Sequence, residues 1–133
     1  MGLEYRMHQL DPSRQDLEGE GCSLAEEGDF KGAIQCFEKA VAEERGQNNA
    51  HTYEMVAQCM MEIGSNEEAV DAASKATDCE PEWAEGFHTL ARAQRNNREL
   101  QGALRSFHTC LSICPVILEQ ISYEAGREFC PSG

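Results

Sequence analysis

The sequence predicts an all-α fold: an α-solenoid of three helix-turn-helix repeats, six antiparallel helices in all, followed by a C-terminal capping helix. Three observations predict it. The skeleton of "GDFKGAIQCFEKA", residues 28–40, returns in residues 64–76 and again in residues 97–110. The copies, aligned on one alanine each, lie 36 and then 34 residues apart, a period typical of stacked helical units. Within each copy the apolar residues follow the spacing of one helix face, and proline closes the second and third copies.

The composition fits one small globular domain. The chain has 133 residues, of which 41% are hydrophobic and 26% are charged, so it is long enough to bury one core but short for two domains. Its formal net charge of −13 opposes binding to nucleic acid, because such binding rests on Lys and Arg side chains that replace phosphate counterions. We therefore expect no nucleic-acid partner.

Apolar runs and cysteines indicate where the protein works. The longest apolar runs are a few residues, and the N-terminal "MGLEYRMHQL" lacks the basic start and apolar core of a secretory signal. We therefore expect no membrane span and no membrane partner. Seven Cys, an odd number without a CxxC pair, argue against a disulfide framework. We interpret them as reduced thiols and expect an intracellular protein, cytoplasmic or nuclear.

The predicted domain extends over residues 11–130, between a flexible N-terminus at residues 1–10 and a tail at residues 131–133. Asp11 followed by Pro12 resembles a helix N-cap with proline in the first turn. We therefore expect the first helix to begin there.

The three repeats are assigned to residues 14–47, 50–83 and 84–117, and each has two apolar stripes separated by a polar turn. Pro81 and Pro115 end the second and third repeats, because proline cannot continue a helix. The stripes are formed by Leu17, Gly21, Leu24, Phe30, Ala33, Phe37 and Ala40 in the first repeat, by Tyr53, Val56, Ala57, Met60, Ala69, Ala73 and Ala76 in the second, and by Phe87, Leu90, Ala91, Leu100, Ala103, Phe107 and Cys110 in the third.

Small residues recur at one position of each helix. They are Gly21, Ala57 and Ala91 on the first helices and Ala33, Ala69 and Ala103 on the second helices. Small side chains let paired helix backbones approach closely. Because glycine inside a helix costs roughly 1 kcal/mol relative to alanine, Gly21 indicates a position where a side chain would collide with the neighbouring helix.

A capping helix is predicted at about residues 116–129. The stretch "VILEQISYEAGREF" places Leu118, Ile121 and Ala125 on one face and most of its charges elsewhere. A solenoid exposes the apolar flank of its last repeat unless a half-polar element covers it. This segment has the amphipathic character and the position of such an element.

The period, the small residues and the prolines together resemble the tetratricopeptide repeat. This resemblance implies an adaptor or scaffold that binds other proteins and holds no cofactor. Three positions depart from the family pattern: Ala73 stands where a bulky aromatic residue is usual, Gln94 where a large apolar residue is usual, and Arg98 where glycine commonly forms the turn. We expect these residues to weaken packing locally.

The resemblance also implies that the first helices line an inner groove in which the family binds extended or helical peptides. The groove residues predicted here are Gln15, Glu18, Cys22, Glu26, His51, Glu54, Gln58, Met61, Glu62, Glu85, His88, Arg92 and Arg95. The groove begins acidic and ends with two arginines, so a partner with a basic segment and an acidic or carboxyl-terminal end would be complementary. The alternative is a merely solvated surface, since stacked repeats must expose charge somewhere.

A co-chaperone role is a disfavoured alternative. Some members of the family hold the carboxyl terminus of heat-shock chaperones in a clamp built from Lys, Arg and Asn. At the matching positions this chain has Glu18, Cys22, Met55, Glu85 and Thr89. Two of the five bring a negative charge toward a carboxylate, where a charge-assisted hydrogen bond is needed.

A thiol or metal-dependent enzyme is the alternative from another class. A nucleophilic thiol needs electropositive surroundings, whereas Cys22 stands among four glutamates. A structural zinc site needs four converging ligands; His108 and Cys114 lack such a set, because Cys110 takes a packing position on its helix. We therefore expect no catalytic residue, no metal and no cofactor.

Overall fold

The computed structural model describes residues 14–43 and 48–115. In these two ranges the chain forms six helices and no strand, so the all-α prediction is confirmed. The helices are α1 (Arg14–Glu26), α2 (Phe30–Glu43), α3 (Ala50–Glu62), α4 (Asn66–Cys79), α5 (Ala84–Asn96) and α6 (Leu100–Ile113).

Four sequence predictions lie outside the described residues. They are the flexible N-terminus at residues 1–10, the helix start at Asp11, the capping helix at about residues 116–129 and the tail at residues 131–133.

The six helices form three pairs, α1–α2, α3–α4 and α5–α6, and each helix packs against its neighbours in sequence. The first helices of successive pairs also meet: α3 packs against α5, and side chains of α1 and α3 contact each other. Packing between neighbouring units along one direction is the arrangement of a solenoid. The first helices α1, α3 and α5 therefore lie side by side along the stack.

The three turns inside the pairs share one backbone geometry. Gly28, Gly64 and Arg98 have φ angles of +91°, +79° and +63°, which lie in the left-handed region. In the first turn the Gly28 N–H donates to the Ala25 carbonyl and the Asp29 N–H donates to the Leu24 carbonyl, and the other two turns repeat both bonds. This is the Schellman motif, which ends a helix by satisfying its last carbonyl groups.

The core is built from the small residues and from a few large ones between them. Ala33, Ala57, Ala69 and Ala91 are fully buried, and Ala103 is only 4% exposed. The large side chains of the central cluster are Ile34 and Phe37 on α2, Val56 on α3 and Leu90 on α5. Close backbone approach at the small positions leaves the large side chains to fill the space between helices.

Gln94 makes a hydrogen bond at the position where the family pattern has a large apolar residue. The buried Ser106 hydroxyl donates to Gln94 Oε1 at 2.6 Å across the α5–α6 pair. The amide also lies over Gly102, where a Cβ atom would be 2.9 Å from Gln94 Nε2. Gln94 is half-buried, and its bond satisfies the buried Ser106 hydroxyl, which would otherwise cost desolvation energy; the expected local weakening stays a prediction.

One face of α6 is left exposed. Leu100 and Leu104 are 62% and 65% exposed, whereas Ile34, which holds the place of Leu104 in the first repeat, is 8% exposed. In the first repeat this face packs against the next first helix. The predicted capping helix would occupy the corresponding place on α6, and it stays a prediction.

Among the described residues, no helix combines the length and the apolar character that crossing a membrane requires.

Candidate peptide-binding face

The candidate site is the surface of α1, α3 and α5 that carries the thirteen predicted groove residues, and we call it the groove face. All thirteen lie on these three helices. The exposed ones are Gln15, Cys22, Glu26, His51, Gln58, Glu62, Glu85 and Arg95; the half-buried ones are Glu18, Met61, His88 and Arg92; Glu54 is buried. The face is thus mostly open to solvent, with one buried carboxylate in its middle.

Side chains join successive first helices across the groove face. The Thr52 hydroxyl on α3 donates to Glu18 Oε1 on α1. The Cys22 thiol approaches Met55 Sδ at 3.7 Å between the same helices. On the next step of the stack the Thr89 hydroxyl on α5 donates to Glu54 Oε2 on α3 at 3.3 Å. These contacts fix the spacing of the three helices that carry the face.

Glu54 differs from the prediction that it lines an open groove. It is 8% exposed, and its carboxylate accepts hydrogen bonds from the Thr89 hydroxyl and from the Gln58 side-chain amide. A buried carboxylate needs such partners, since burial of an unpaired charge is costly. Its position where α3 packs against α5 makes it a structural link, while Glu18, also hydrogen bonded, remains half open.

The two histidines of the face contact aromatic rings of other elements. The ring of His51 lies 4.3 Å, centroid to centroid, from that of Trp83, the residue that precedes α5. The ring of His88 lies 6.0 Å from that of Phe107 on α6. Trp83 therefore links the second and third pairs, as a packing residue between repeats does.

A cavity of about 450 Å³ opens between α1 and α3. Its polar lining consists of four predicted groove residues, Cys22, Glu26, Gln58 and Glu62. Its apolar lining consists of Ala25, Phe30, Phe37, Met55 and Cys59. The structure thus brings four of the thirteen residues together around one depression, whereas Gln15, Glu85, Arg92 and Arg95 do not line it.

Charge changes sign along the face. Among the thirteen residues, the acids are Glu18 and Glu26 on α1 and Glu54 and Glu62 on α3, and none of those on α1 and α3 is Lys or Arg. On α5, Glu85 is followed by Arg92 and Arg95. A ligand that spans the three helices therefore meets carboxylates at one end and guanidinium groups at the other.

The thiol inside the cavity is held in its protonated form. Burial is the largest cause of a raised pKa at Cys59, and the negative charges of Cys22, Glu62 and Glu54 add to it. Together they raise the pKa of Cys59 to about 11. Burial also raises the pKa values of Cys36 and Cys110. Within residues 14–43 and 48–115, no group of three or more His, Cys, Asp or Glu residues is arranged to hold a metal ion.

Sequence reasoning missed residues that complete the face from neighbouring repeats. The sequence pattern places Phe30 in an apolar stripe and gives Thr52 no role, whereas in the structure Phe30 lines the cavity and the buried Thr52 bonds to Glu18. A usable signal is the offset between partners, which is 34 residues for Glu18 with Thr52 and 35 residues for Glu54 with Thr89. An acid and a hydroxyl one period apart indicate a bond between adjacent first helices.

Comparison with known proteins decides the family. The sequence-family model of the tetratricopeptide repeat matches residues 24–94, which is more than half of the chain. The chain belongs to the tetratricopeptide-repeat family. Its relatives include tetratricopeptide repeat protein 33 from Xenopus laevis, which is 39% identical over 103 residues, and from Homo sapiens, which is 38% identical over 100 residues. These alignments cover 77% and 75% of this chain but 39% and 37% of the relatives, so the chain spans well under half of their length.

Solved structures with tetratricopeptide-repeat folds superpose on the chain. MamA matches with a TM-score of 0.74 at 20% identity, over 84% of this chain and 64% of MamA. The second TPR of Spaghetti (RPAP3), bound to the HSP90 peptide SRMEEVD, matches with a TM-score of 0.70 at 22% identity, over 81% of this chain and 98% of that one. At these identities the two structures support the tetratricopeptide-repeat fold alone.

Proposed function

We propose that this chain is a non-enzymatic adaptor whose groove face holds an extended or helical segment of another protein. Membership of the tetratricopeptide-repeat family supports a role in protein–protein interaction. The observation that carries the finer proposal is the open, charged surface of α1, α3 and α5, whose spacing is fixed by the Glu18–Thr52 and Glu54–Thr89 hydrogen bonds. A rigid surface loses little freedom on binding, which favours affinity.

The proposed partner segment is basic at one end and acidic at the other. Its Lys or Arg residues lie along α1 and α3, and an acidic residue or a carboxyl terminus lies near Arg92 and Arg95 on α5. Charges on an open surface contribute little affinity each, about 0.2–1 kcal/mol. They fix the direction of the segment, because the reversed orientation brings like charges together.

Charge reversal of the two arginines tests this orientation. The variant Arg92→Glu with Arg95→Glu is compared with Lys39→Glu plus Arg105→Glu, which changes the net charge equally at exposed positions of α2 and α6. Pull-downs from native extract are quantified by mass spectrometry. We expect the first variant to lose partners that the second retains. Identical partner lists for the wild type and both variants would contradict a role of the groove face.

A chaperone-docking role is the second candidate, because the structurally similar second TPR of Spaghetti is bound to an HSP90 peptide. The carboxylate clamp is absent at the matching positions, where Glu18 and Glu85 oppose a ligand carboxylate. We expect calorimetry with the peptide SRMEEVD to detect no binding. Binding that is lost in Arg92→Glu would favour the chaperone-docking role instead.

An enzyme based on thiol chemistry is the rival class, and the raised pKa of Cys59 opposes it. We expect all cysteines to react with iodoacetamide near neutral pH no faster than a free thiol. A cysteine that reacts much faster than a free thiol would support the enzyme alternative. The reduced thiols are also the reason that we assign the adaptor to the cytoplasm or nucleus.

A further inference from the structure

We propose that the cavity between α1 and α3 is the anchor site of the groove face. It takes one large apolar side chain of the partner, such as Leu or Met, and its two glutamates pair with a Lys or Arg next to that side chain. This inference rests on the proposed function and names the class of segment that the adaptor holds.

The floor of the cavity is apolar and fixed. Phe37 is 1% exposed, and its ring is held against Gly21, where no side chain intervenes. Met55, which contacts the thiol of Cys22, forms part of the wall. The flexible and polarizable methionine adapts to the shape of an apolar occupant. The depression therefore offers a partner both a rigid base and an adjustable side.

The size of the cavity fits an anchoring side chain. Its volume of about 450 Å³ lies in the range of roughly 300–1,000 Å³ that is typical of ligand pockets. Such a space is larger than one Leu or Met residue, so it holds the apolar side chain together with its adjoining backbone and part of the neighbouring residue. Anchors of this kind, buried in a pocket and surrounded by a polar rim, contribute most of the binding energy of many interfaces.

The rim of the cavity selects a positive neighbour for the apolar anchor. Glu26 on α1 and Glu62 on α3 are both exposed, and neither has a hydrogen-bond or ion-pair partner among residues 14–43 and 48–115. A Lys or Arg beside the apolar side chain would approach these two carboxylates. An acidic neighbour would be repelled, so the rim contributes selectivity while the floor contributes affinity.

A second cavity, on the outer side of the stack, lacks this preference for a Lys or Arg of the partner. It serves as a control. It measures about 380 Å³ and lies between α2, α3 and α4, with Tyr53 and Met60 in its wall and Glu68 and Asp71 on its rim. Its own cation is already in place, because Lys75 Nζ lies 5.7 Å from the centroid of the Tyr53 ring. Among the described residues that line the cavity on the groove face there is no lysine.

Selection from a phage-displayed library of random 12-residue peptides tests the proposal. The baits are the wild-type chain, the variant Glu26→Lys with Glu62→Lys, and the control Glu68→Lys with Asp71→Lys, which has the same net charge as the first variant. We expect the wild type and the control to enrich peptides with an apolar residue beside Lys or Arg. The groove-face variant should lose them, with its helical content unchanged by circular dichroism.

The methyl NMR signals of ¹³C-labelled methionine identify the cavity that is occupied. A synthetic peptide from the selection should shift the signal of Met55, which lines the groove cavity, and leave that of Met60, which lines the outer cavity. Exchange of the apolar peptide residue for Ser should weaken binding at least tenfold, as should exchange of the neighbouring Lys for Glu.

The outcomes separate the anchor site from the adaptor function. Peptides that bind α1 and α3 with Met55 unshifted, or that tolerate the Ser exchange, would overturn the anchor site and leave the adaptor function standing. Enrichment of acidic peptides by the wild type would also overturn it. Peptides that shift only Met60, or a selection that enriches nothing, would overturn both proposals.

Discussion

The backbone of Gly21 on α1 lies directly against the ring of Phe37 on α2. A Cβ atom built at Gly21 would be 2.6 Å from Phe37 Cε1 and 2.9 Å from Cδ1 and Cζ. Real Cβ atoms do not approach ring carbons so closely. The same ring forms part of the floor of the groove cavity, so this contact couples the packing of the first pair to the shape of the candidate site.

Two glycines of α1 are therefore predicted to respond oppositely to alanine. Gly21→Ala should lower the free energy of unfolding by about 1–3 kcal/mol, because an extra methyl group overpacks the contact with Phe37. Gly19→Ala, with open space around its Cβ position, should raise it by roughly 0.5–1 kcal/mol through helix propensity. Urea unfolding measures both. Stabilisation by Gly21→Ala would show that the ring moves aside without cost.

The fold was predictable because the small and large apolar residues that cause it recur at a regular period. The positions of small residues, such as Gly21 and Ala57, recur with the repeat and need no knowledge of the partner helix. The state of Glu54 was not predictable, because helical spacing says which face a residue shares but not whether a neighbouring helix covers it. Glu54 is buried where α3 packs against α5, whereas its bond to Thr89, one repeat period away, is the part that the spacing indicates. The cavity likewise depends on side-chain packing between α1 and α3.

The third turn is predicted to gain stability from glycine. Arg98 holds a φ angle of +63°, whereas its equivalents Gly28 and Gly64 have no side chain to strain in this region. A non-glycine residue in the left-handed conformation costs roughly 1–2 kcal/mol, and glycine gives back part of this through its larger unfolded-state entropy. Arg98→Gly should raise the free energy of unfolding by about 0.5–1 kcal/mol in urea titrations. A decrease would mean that the Arg98 side chain makes a stabilising contact.

The link between α3 and α5 is predicted to depend on one hydroxyl group. Thr89→Val keeps the shape of the buried side chain but removes its bond to Glu54, leaving a buried carboxylate with one partner fewer. We expect the free energy of unfolding to fall by about 1–2 kcal/mol. The control is Thr109→Val, whose hydroxyl bonds to the Arg105 carbonyl of its own helix, and which should change stability by less than about 0.5 kcal/mol. Equal effects would show that the bond between Thr89 and Glu54 does not stabilise the packing of α3 against α5.

Stability is predicted to fall at alkaline pH through Cys59. Its folded-state pKa is about 11, compared with an ordinary value of 9.0. The unfolded chain therefore loses the thiol proton first as pH rises, which favours unfolding. The contribution of the protonated Cys59 thiol to the free energy of unfolding is fully present below about pH 9 and is lost as pH rises through about 11. It amounts to at most about 2–3 kcal/mol. In thermal melts between pH 8 and 11, Cys59→Ala should flatten this decline. An unchanged slope would contradict the role of Cys59.

Photo-crosslinking from four exposed glutamines tests whether the first helices carry the binding surface. p-Benzoylphenylalanine is placed singly at Gln15 or Gln58 on the groove face and at Gln35 or Gln101 on the second helices. Each protein is irradiated in native extract, and covalent adducts are identified by mass spectrometry. We expect a shared partner adduct from Gln15 and Gln58 that is absent from Gln35 and Gln101. The same adduct formed only from Gln35 or Gln101 would contradict it.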